Sequence, residues 1–257
     1  MIRWGSGRRS FSARRAGVKK AVFNPLTLSP TVWFDPSDLS TLFQDSAGTT
    51  PVTASGQPVG KMLDKSGNGY HATQATSTLR PIYTVSSGNS YLVFDGVDDE
   101  LDFPVATITL AAVGHTLAMG YQKTGTNYAF GGGSASTNGP INILHAVNAP
   151  RLYCLRSGGT VDLTSSISLT GDKVVRGMLD RAGLSHSVFV DGASGGSAVA
   201  TNTDLSNASS TNYSIGGANA APFGGNIHGV ILLNRLVTGA EAAKIDTYLG
   251  AKQGRVL

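Results

Sequence analysis

Short stretches in which apolar and polar residues alternate, separated by turn residues, dominate the chain from about residue 33 onward. Such alternation is typical of strands with one buried face. In Val188-Phe189-Val190-Asp191-Gly192 a strand-like run ends in an Asp-Gly turn signal. The pattern predicts many short strands joined by turns. The strand-like runs are residues 91–94, 106–121, 141–147, 151–155, 160–168, 173–180, 185–191, 213–217 and 226–233.

One segment near the end of the chain has the pattern of a helix instead. Thr238 and Glu241 have the spacing of a capping box, and Gly254 is a suitable end. The apolar residues that follow at spacings of three and four are Ala242, Ile245, Tyr248 and Leu249. Many short strands and one short C-terminal helix predict an all-β fold, an antiparallel β-sandwich.

Composition agrees with this expectation and excludes several classes of protein. The 257 residues suffice for one large β domain plus an extension. Charged residues make up 14% and there are 33 glycines, which favours turn-rich structure with a polar, weakly charged surface. Cys154 is the single cysteine, so an internal disulfide and a cysteine-based zinc site are excluded. No stretch resembles a membrane span or a secretory signal.

The first 34 residues differ in charge from the rest of the chain. They contain seven Lys/Arg and no Asp or Glu, and the remaining residues have 13 basic against 16 acidic side chains, a net charge of −3. This asymmetry predicts an arm, residues 1–32, that binds another surface, and a domain over residues 33–257. A transit peptide, a nucleic-acid-binding arm and a solvated leader are alternatives. The arm residues of interest are Arg3, Trp4, Arg8, Arg9, Phe11, Arg14, Arg15, Lys19 and Lys20.

A series of landmarks follows in a fixed order over residues 33–254. With these landmarks the chain resembles the concanavalin A-like lectin/glucanase superfamily, specifically its laminin-G-like jelly rolls. The resemblance implies a jelly-roll fold and a lectin-like function. His228-Gly229 departs from it, because many relatives have small and acidic residues there. The landmarks are Asp64-Lys65-Ser66-Gly67-Asn68-Gly69-Tyr70-His71-Ala72, Phe94-Asp95-Gly96-Val97-Asp98-Asp99, Val188-Phe189-Val190-Asp191-Gly192, Ser214-Ile215-Gly216-Gly217, and the ending from Phe223 to Leu249.

A narrower resemblance is carried by residues 33–40 and by the turn at residues 64–69. Both are similar to segments of bacteriophage and prophage virion proteins. This resemblance implies a non-enzymatic virion structural protein, a capsid decoration or a tail or fibre component, made in the host cytoplasm. The arm would anchor it to other virion proteins, and the domain would face host surface glycans. A homo-oligomer is expected, membrane insertion and nucleic-acid binding are not, and a stand-alone carbohydrate-binding protein is the alternative.

Glu100-Leu101-Asp102-Phe103-Pro104-Val105 raises the question of catalysis. Laminarinase-type glycoside hydrolases of the same superfamily have Glu-x-Asp-x-x-Glu on a strand. Retaining hydrolysis needs two carboxyl groups about 5 Å apart. Here Val105 stands in place of the second Glu, and Pro104 disfavours a central strand. The segment therefore predicts a protein that is not an enzyme.

Two further groups of residues are candidate sites. Asp64, Asp95, Asp98 and Asp99 offer carboxylate oxygens of the kind that calcium prefers, although aspartates in turns also serve local hydrogen bonding. Sugar binding requires aromatic rings and amide or hydroxyl groups at the surface. The candidates for that role are Tyr70, Asn127, Tyr128 and Tyr213, and an ordinary loop or core role is the alternative for each.

Overall fold

A computed structural model describes the fold of most of the chain, namely residues 1, 23–104, 114–125, 128–132, 143–146, 149–156, 159–180, 182–199, 212–218 and 221–257. All strand pairs among these residues are antiparallel. In chain order the strands are β1 (Val32–Phe34), β2 (Leu42–Phe43), β3 (Lys61–Met62), β4 (Ala72–Thr73), β5 (Ile82–Ser86), β6 (Asn89–Asp95), β7 (Leu101–Pro104), β8 (Gly114–Lys123), β9 (Tyr128–Gly132), β10 (Ile143–Ala146), β11 (Pro150–Arg156), β12 (Gly159–Thr164), β13 (Asp172–Asp180), β14 (Ser185–Val190), β15 (Ala193–Val199), β16 (Asn212–Ile215), β17 (Gly217–Ala218), β18 (Ala221–Pro222) and β19 (Gly224–Leu233).

Two sheets form the sandwich that the sequence predicts. The first has the order β15-β14-β13-β8-β19-β6-β5, with β1 also paired to β19, and the second has the order β12-β11-β10-β9-β16-β7-β4-β3-β2. A small β17-β18 hairpin lies outside both sheets. The all-β, jelly-roll prediction is confirmed.

The core lies between the inner faces of the two sheets. Strand β7 alternates between buried and half-exposed or exposed positions, so that Leu101 and Phe103 point inward. Phe103 stacks on Tyr213 of β16 with 5.7 Å between ring centroids, and Tyr213 stacks on Phe130 of β9 at 5.4 Å. In β7 the period-two pattern of the sequence therefore corresponds to the inner and outer faces of the sheet.

Helix α1 (Gly239–Lys252) covers part of the outer face of the first sheet. Its capping box between Thr238 and Glu241 forms as predicted. Residues that pack together between α1 and this face include Ala118, Ile231, Ala242, Ile245 and Leu249. Gly229 of β19 permits the close packing, because a Cβ there would lie 3.1 Å from Leu249 Cδ2. The helix prediction is therefore confirmed, including its apolar face.

The segment just after the arm is part of the folded body. The Phe23 ring meets the Tyr248 ring of α1 edge to face at 6.0 Å, and Leu28 is buried in the same cluster. Thr31 N–H donates to the Leu232 carbonyl, 2.7 Å away. Part of the range predicted for the arm, from Phe23 to Thr31, therefore packs on the domain. The arm residues Arg3 to Lys20 lie outside the described part of the chain.

Candidate functional site

A row of polar side chains crosses the outer face of the second sheet. The register places Lys61 beside Thr73, Thr73 beside Asp102, Asp102 beside Ser214, and Ser214 beside Gly131. Neighbouring strands are about 4.8 Å apart, so the row spans roughly 19 Å. The side chains of Lys61, Thr73, Asp102 and Ser214 are partly exposed, whereas their strand neighbours Met62, Ala72, Leu101 and Ile215 are buried in the core.

Asp102 occupies the middle of this polar row. Its Oδ1 accepts a hydrogen bond from Ser214 Oγ, which fixes both side chains on the surface of the sheet. Phe43 is partly exposed at one end of the row, and Pro104 is exposed on the strand of Asp102. Hydroxyl and carboxylate groups beside apolar surface form the mixed lining that is typical of small-ligand sites.

Glu100 lies on the same side of the chain as Asp102, two residues before it. Burial raises the pKa of Glu100, and the nearby charges of Asp102 and Asp98 raise it further. Among the described residues its carboxylate has no ion pair. Glu100 and Asp102 are the two acids of the hydrolase-like segment, and Val105, the position where a second Glu would be required, lies outside the described residues.

The turn between β6 and β7 brings three aspartates together next to this acidic pair. Ligand oxygens of Asp95, Asp98 and Asp99 lie within 4.8 Å of one another. Asp99 is 5% exposed, and its Oδ2 accepts from the Asp95 N–H at 3.0 Å. Calcium takes six to eight oxygen ligands, which include backbone carbonyls and waters beside carboxylates, so these three carboxylates supply part of such a set. The fourth predicted ligand, Asp64, is engaged elsewhere.

Asp64 stabilises a turn and does not join the other three aspartates. It is 7% exposed, and its carboxylate accepts hydrogen bonds from Trp33 N, Ser66 N, Ser66 Oγ and Tyr70 N. These bonds connect the start of β1 to the Asp64-Lys65-Ser66-Gly67-Asn68-Gly69 turn. The prediction of Asp64 as a calcium ligand is therefore replaced by a structural role, because its oxygens already serve four protein donors.

The pKa of Asp99 gives a testable property of this acidic cluster. Burial raises the pKa of Asp99 to about 6, and repulsion from Asp95 and Asp98 adds to the shift. A carboxyl group with a raised folded-state pKa destabilises the fold where it is ionised. The loss of folding stability caused by ionised Asp99 therefore begins near the unfolded pKa of 3.8 and is complete above about pH 6. It is relieved as the pH falls.

We expect Asp99→Asn to raise the free energy of unfolding at pH 7.5 by about 1–2 kcal/mol. The amide oxygen can still accept from Asp95 N–H, and the buried charge is gone. At pH 4 the difference from the wild type should be small, since Asp99 is then largely protonated in the folded state. Urea unfolding at the two pH values measures this, with Asp180→Asn on β13 of the other sheet as control. Destabilisation by Asp99→Asn at pH 7.5 would contradict it and indicate a bound cation.

The four predicted sugar-binding residues do not form a cluster. Tyr213 is 0% exposed and stacks inside the core, so its predicted contact with a sugar is wrong. Tyr70 is partly buried and packs against the core. Tyr128 is partly buried on β9, where the pairing register with β10 shifts. Asn127 lies outside the described residues.

The polar row on the second sheet was not found from the sequence. Alternation alone places Asp102 and Ser214 on outer faces of their strands. Their adjacency depends on the pairing of β7 with β16, which are 108 residues apart at their first paired positions, Pro104 and Asn212. No local signal specifies such a pairing, so this part of the site required the structure.

Known structures share this fold at low sequence identity. Domain 4 of AbnA, a GH43 extracellular arabinanase from Geobacillus stearothermophilus, in complex with arabinotriose, is 14% identical with a TM-score of 0.54, covering 71% of this chain and 91% of that chain. The binding domain of botulinum neurotoxin DC in complex with rat synaptotagmin II is 10% identical with a TM-score of 0.54, covering 76% and 52%. These likenesses show a lectin-like β-sandwich fold.

A third solved structure is the Ruminococcus gnavus IT-sialidase CBM40 bound to α2,6-sialyllactose, which is 14% identical with a TM-score of 0.48 and covers 61% of this chain and 96% of that chain. No protein-family model matches the chain. No curated protein matches it either. In the described part of the chain, the helices are too short or too polar to cross a membrane.

Proposed function

We propose that the domain binds glycans on the outer face of its second sheet and does not act on them as an enzyme. The observation that carries this proposal is the polar row Thr73–Asp102–Ser214, held in register on three neighbouring strands. A flat array of hydroxyl and carboxylate groups on a rigid sheet matches the spaced hydroxyls of an oligosaccharide. The carbohydrate complex of the arabinanase domain, which shares the fold, supports the same proposal by analogy.

We further propose that the chain is a structural protein of a bacteriophage particle, assembled as a homo-oligomer after synthesis in the host cytoplasm. The basic arm would then anchor the domain to other virion proteins. The support for this is the charge asymmetry, with seven Lys/Arg and no acid in residues 1–34, and the position of Phe23, where the arm joins the body beside α1. Glycan binding would use the opposite sheet, which leaves the arm free to dock.

Glycan binding is tested with the isolated full-length chain on an oligosaccharide array. We expect the wild type to bind and Asp102→Ala and Ser214→Ala each to weaken binding by at least about tenfold, because each removes a hydrogen-bonding group from the row. Ser187→Ala is the matched control, since Ser187 is a partly buried serine on β14 of the other sheet. The proposal would be contradicted if Ser187→Ala weakened glycan binding as much as the row variants do, or if a bound β-glucan were hydrolysed.

Anchoring by the arm is tested with a deletion that respects the packed boundary. Removal of residues 2–22 retains Phe23 against Tyr248, so we expect the melting temperature of the domain to stay within a few degrees and incorporation into particles to be lost. A charge-neutral arm, with its seven Lys/Arg replaced by Gln, separates charge from length. Unchanged incorporation of the deletion variant would exclude the anchoring role.

A further inference from the structure

We infer that the outer face of the second sheet selects neutral or amino-substituted glycans and rejects glycans that carry carboxylates. This inference rests on the proposed function and specifies the ligand class of the same site. It follows from the excess of carboxylates over cations around Asp102, and from the distance of the arginines on β11.

Carboxylates are concentrated beside the middle of the polar row, at Asp102 and in the β6-β7 turn just before it. Five of them occur within eight residues, Asp95, Asp98, Asp99, Glu100 and Asp102, and none forms a salt bridge within the described part of the chain. The Asp102 carboxylate accepts from Ser214, a neutral donor. Burial raises the pKa of Asp99 and of Glu100, and repulsion from neighbouring carboxylates adds to both shifts. The surface potential here is therefore negative.

Two cations lie near this group, and their hydrogen bonds go to neutral acceptors, so both keep their positive charge. Lys61 lies two strands from Asp102, and its Nζ donates to the Ala47 carbonyl at 3.4 Å. The three nitrogens of the Arg80 guanidinium donate to the Gln74, Gln44 and Ala75 carbonyls. Recognition of a sugar carboxylate normally uses the paired N–H groups of an arginine. The Arg80 nitrogens already donate to three backbone carbonyls.

Two arginines lie on the strands of the second sheet that the structure describes, Arg151 and Arg156, both on β11. This strand is four strands from Asp102 in the order β7-β16-β9-β10-β11, a separation of about 19 Å across the strands. That distance is about twice the screening length at physiological ionic strength. Neither arginine therefore neutralises the carboxylates beside Asp102. The five carboxylates outnumber the charges of Lys61 and Arg80, so an acidic glycan seated over Asp102 and Ser214 would meet net negative charge.

The test compares matched glycans on the full-length protein. An array carries lactose beside sialyllactose, xylotriose beside its glucuronic acid-substituted form, and N-acetylated beside de-N-acetylated chitotriose. We expect binding to at least one neutral or amino form, and at least about tenfold weaker binding to its carboxylate form. In 0.5 M NaCl this ratio should shrink, because salt screens the repulsion. The double variant Asp98→Asn/Glu100→Gln should shrink it too, with Asp180→Asn on the other sheet as control.

The outcomes separate the two proposals. Binding to no glycan overturns the proposed function and the inference together. Equal or tighter binding to the carboxylate forms overturns the inference alone, and the loss of such binding in Arg151→Ala would place acidic glycans at the other end of the sheet. The inference is also overturned if neither salt nor the double variant changes the ratio of neutral-form to carboxylate-form binding, since the selection would then be steric.

Discussion

Replacing Asp64 with alanine should lower the free energy of unfolding by about 3–4 kcal/mol, and the cause is the number of buried and partly buried donors that lose their acceptor. Trp33 N at 3.0 Å, Ser66 N at 2.9 Å, Ser66 Oγ at 2.6 Å and Tyr70 N at 3.2 Å all donate to this carboxylate. The bond to Trp33 crosses 31 residues of sequence. Without it, one of the bonds between the turn at residues 64–69 and β1 is lost, and the Lys65 N–H bond to the Trp33 carbonyl remains.

Urea unfolding followed by intrinsic fluorescence measures this loss, and two variants serve as controls. Asp64→Asn keeps Oδ1, and with it the bonds from Trp33 N and Ser66 N, so an intermediate loss is expected. Asp45→Ala is the matched control, because Asp45 also accepts four hydrogen bonds, from Gly48 N, Thr49 N, Thr49 Oγ1 and Thr50 N. Those bonds are local and exposed, so the loss should be clearly smaller. Equal losses for Asp64→Ala and Asp45→Ala would contradict the argument.

The structural role of Asp64 shows why the sequence landmarks were better guides to fold than to function. Asp35, in the segment 33–40, has a similar structural role. It is 3% exposed and accepts from Lys65 Nζ, Lys252 Nζ and Tyr248 Oη, so it connects the start of the domain to α1. Residues that hold distant segments together are constrained in type and order, and this makes a fold recognisable from sequence. They are unavailable to a ligand for the same reason.

The positions that the sequence could predict are those whose environment depends on local pattern. Alternation specified the strands, and the spacing of Thr238 and Glu241 specified the start of α1. Solvent exposure of a single aromatic residue does not follow from such patterns. Tyr213 was expected at the surface, yet it is fully buried between Phe103 and Phe130, because β16 pairs with β7 and β9 and this pairing turns the Tyr213 side chain toward the core.

The site itself shows the same limit. Asp102 was noticed only as part of a hydrolase-like segment, whereas its neighbours in the structure, Thr73 and Ser214, come from strands that are distant in sequence. The acidic character of the β6-β7 turn was visible in the sequence. Its position beside the polar row, and the separation of Asp64 from it, were not, since both depend on how the strands are ordered in the second sheet.

A second large effect is expected at the ion pair between β13 and α1. Arg176 Nε and Nη2 donate to Asp246 Oδ1 and Oδ2, each at 3.1 Å, and the side chains are 4% and 6% exposed. Phe189 covers the guanidinium at 4.2 Å. Asp246→Ala leaves the Arg176 charge buried without a partner, so we expect a loss of about 3–5 kcal/mol of unfolding free energy.

The double variant Arg176→Met/Asp246→Leu decides whether this loss comes from the unpaired charge or from packing. Both groups lie on an apolar surface with Val237 and Ala242, so apolar replacements of similar volume should bring stability back to within about 1 kcal/mol of the wild type. Arg235→Met is the control, because its pair with Glu241 is 39% and 22% exposed and is expected to contribute less than about 1 kcal/mol. A double variant as unstable as Asp246→Ala would mean that α1 is held by the shape of this contact, and that the buried charge is not the cause.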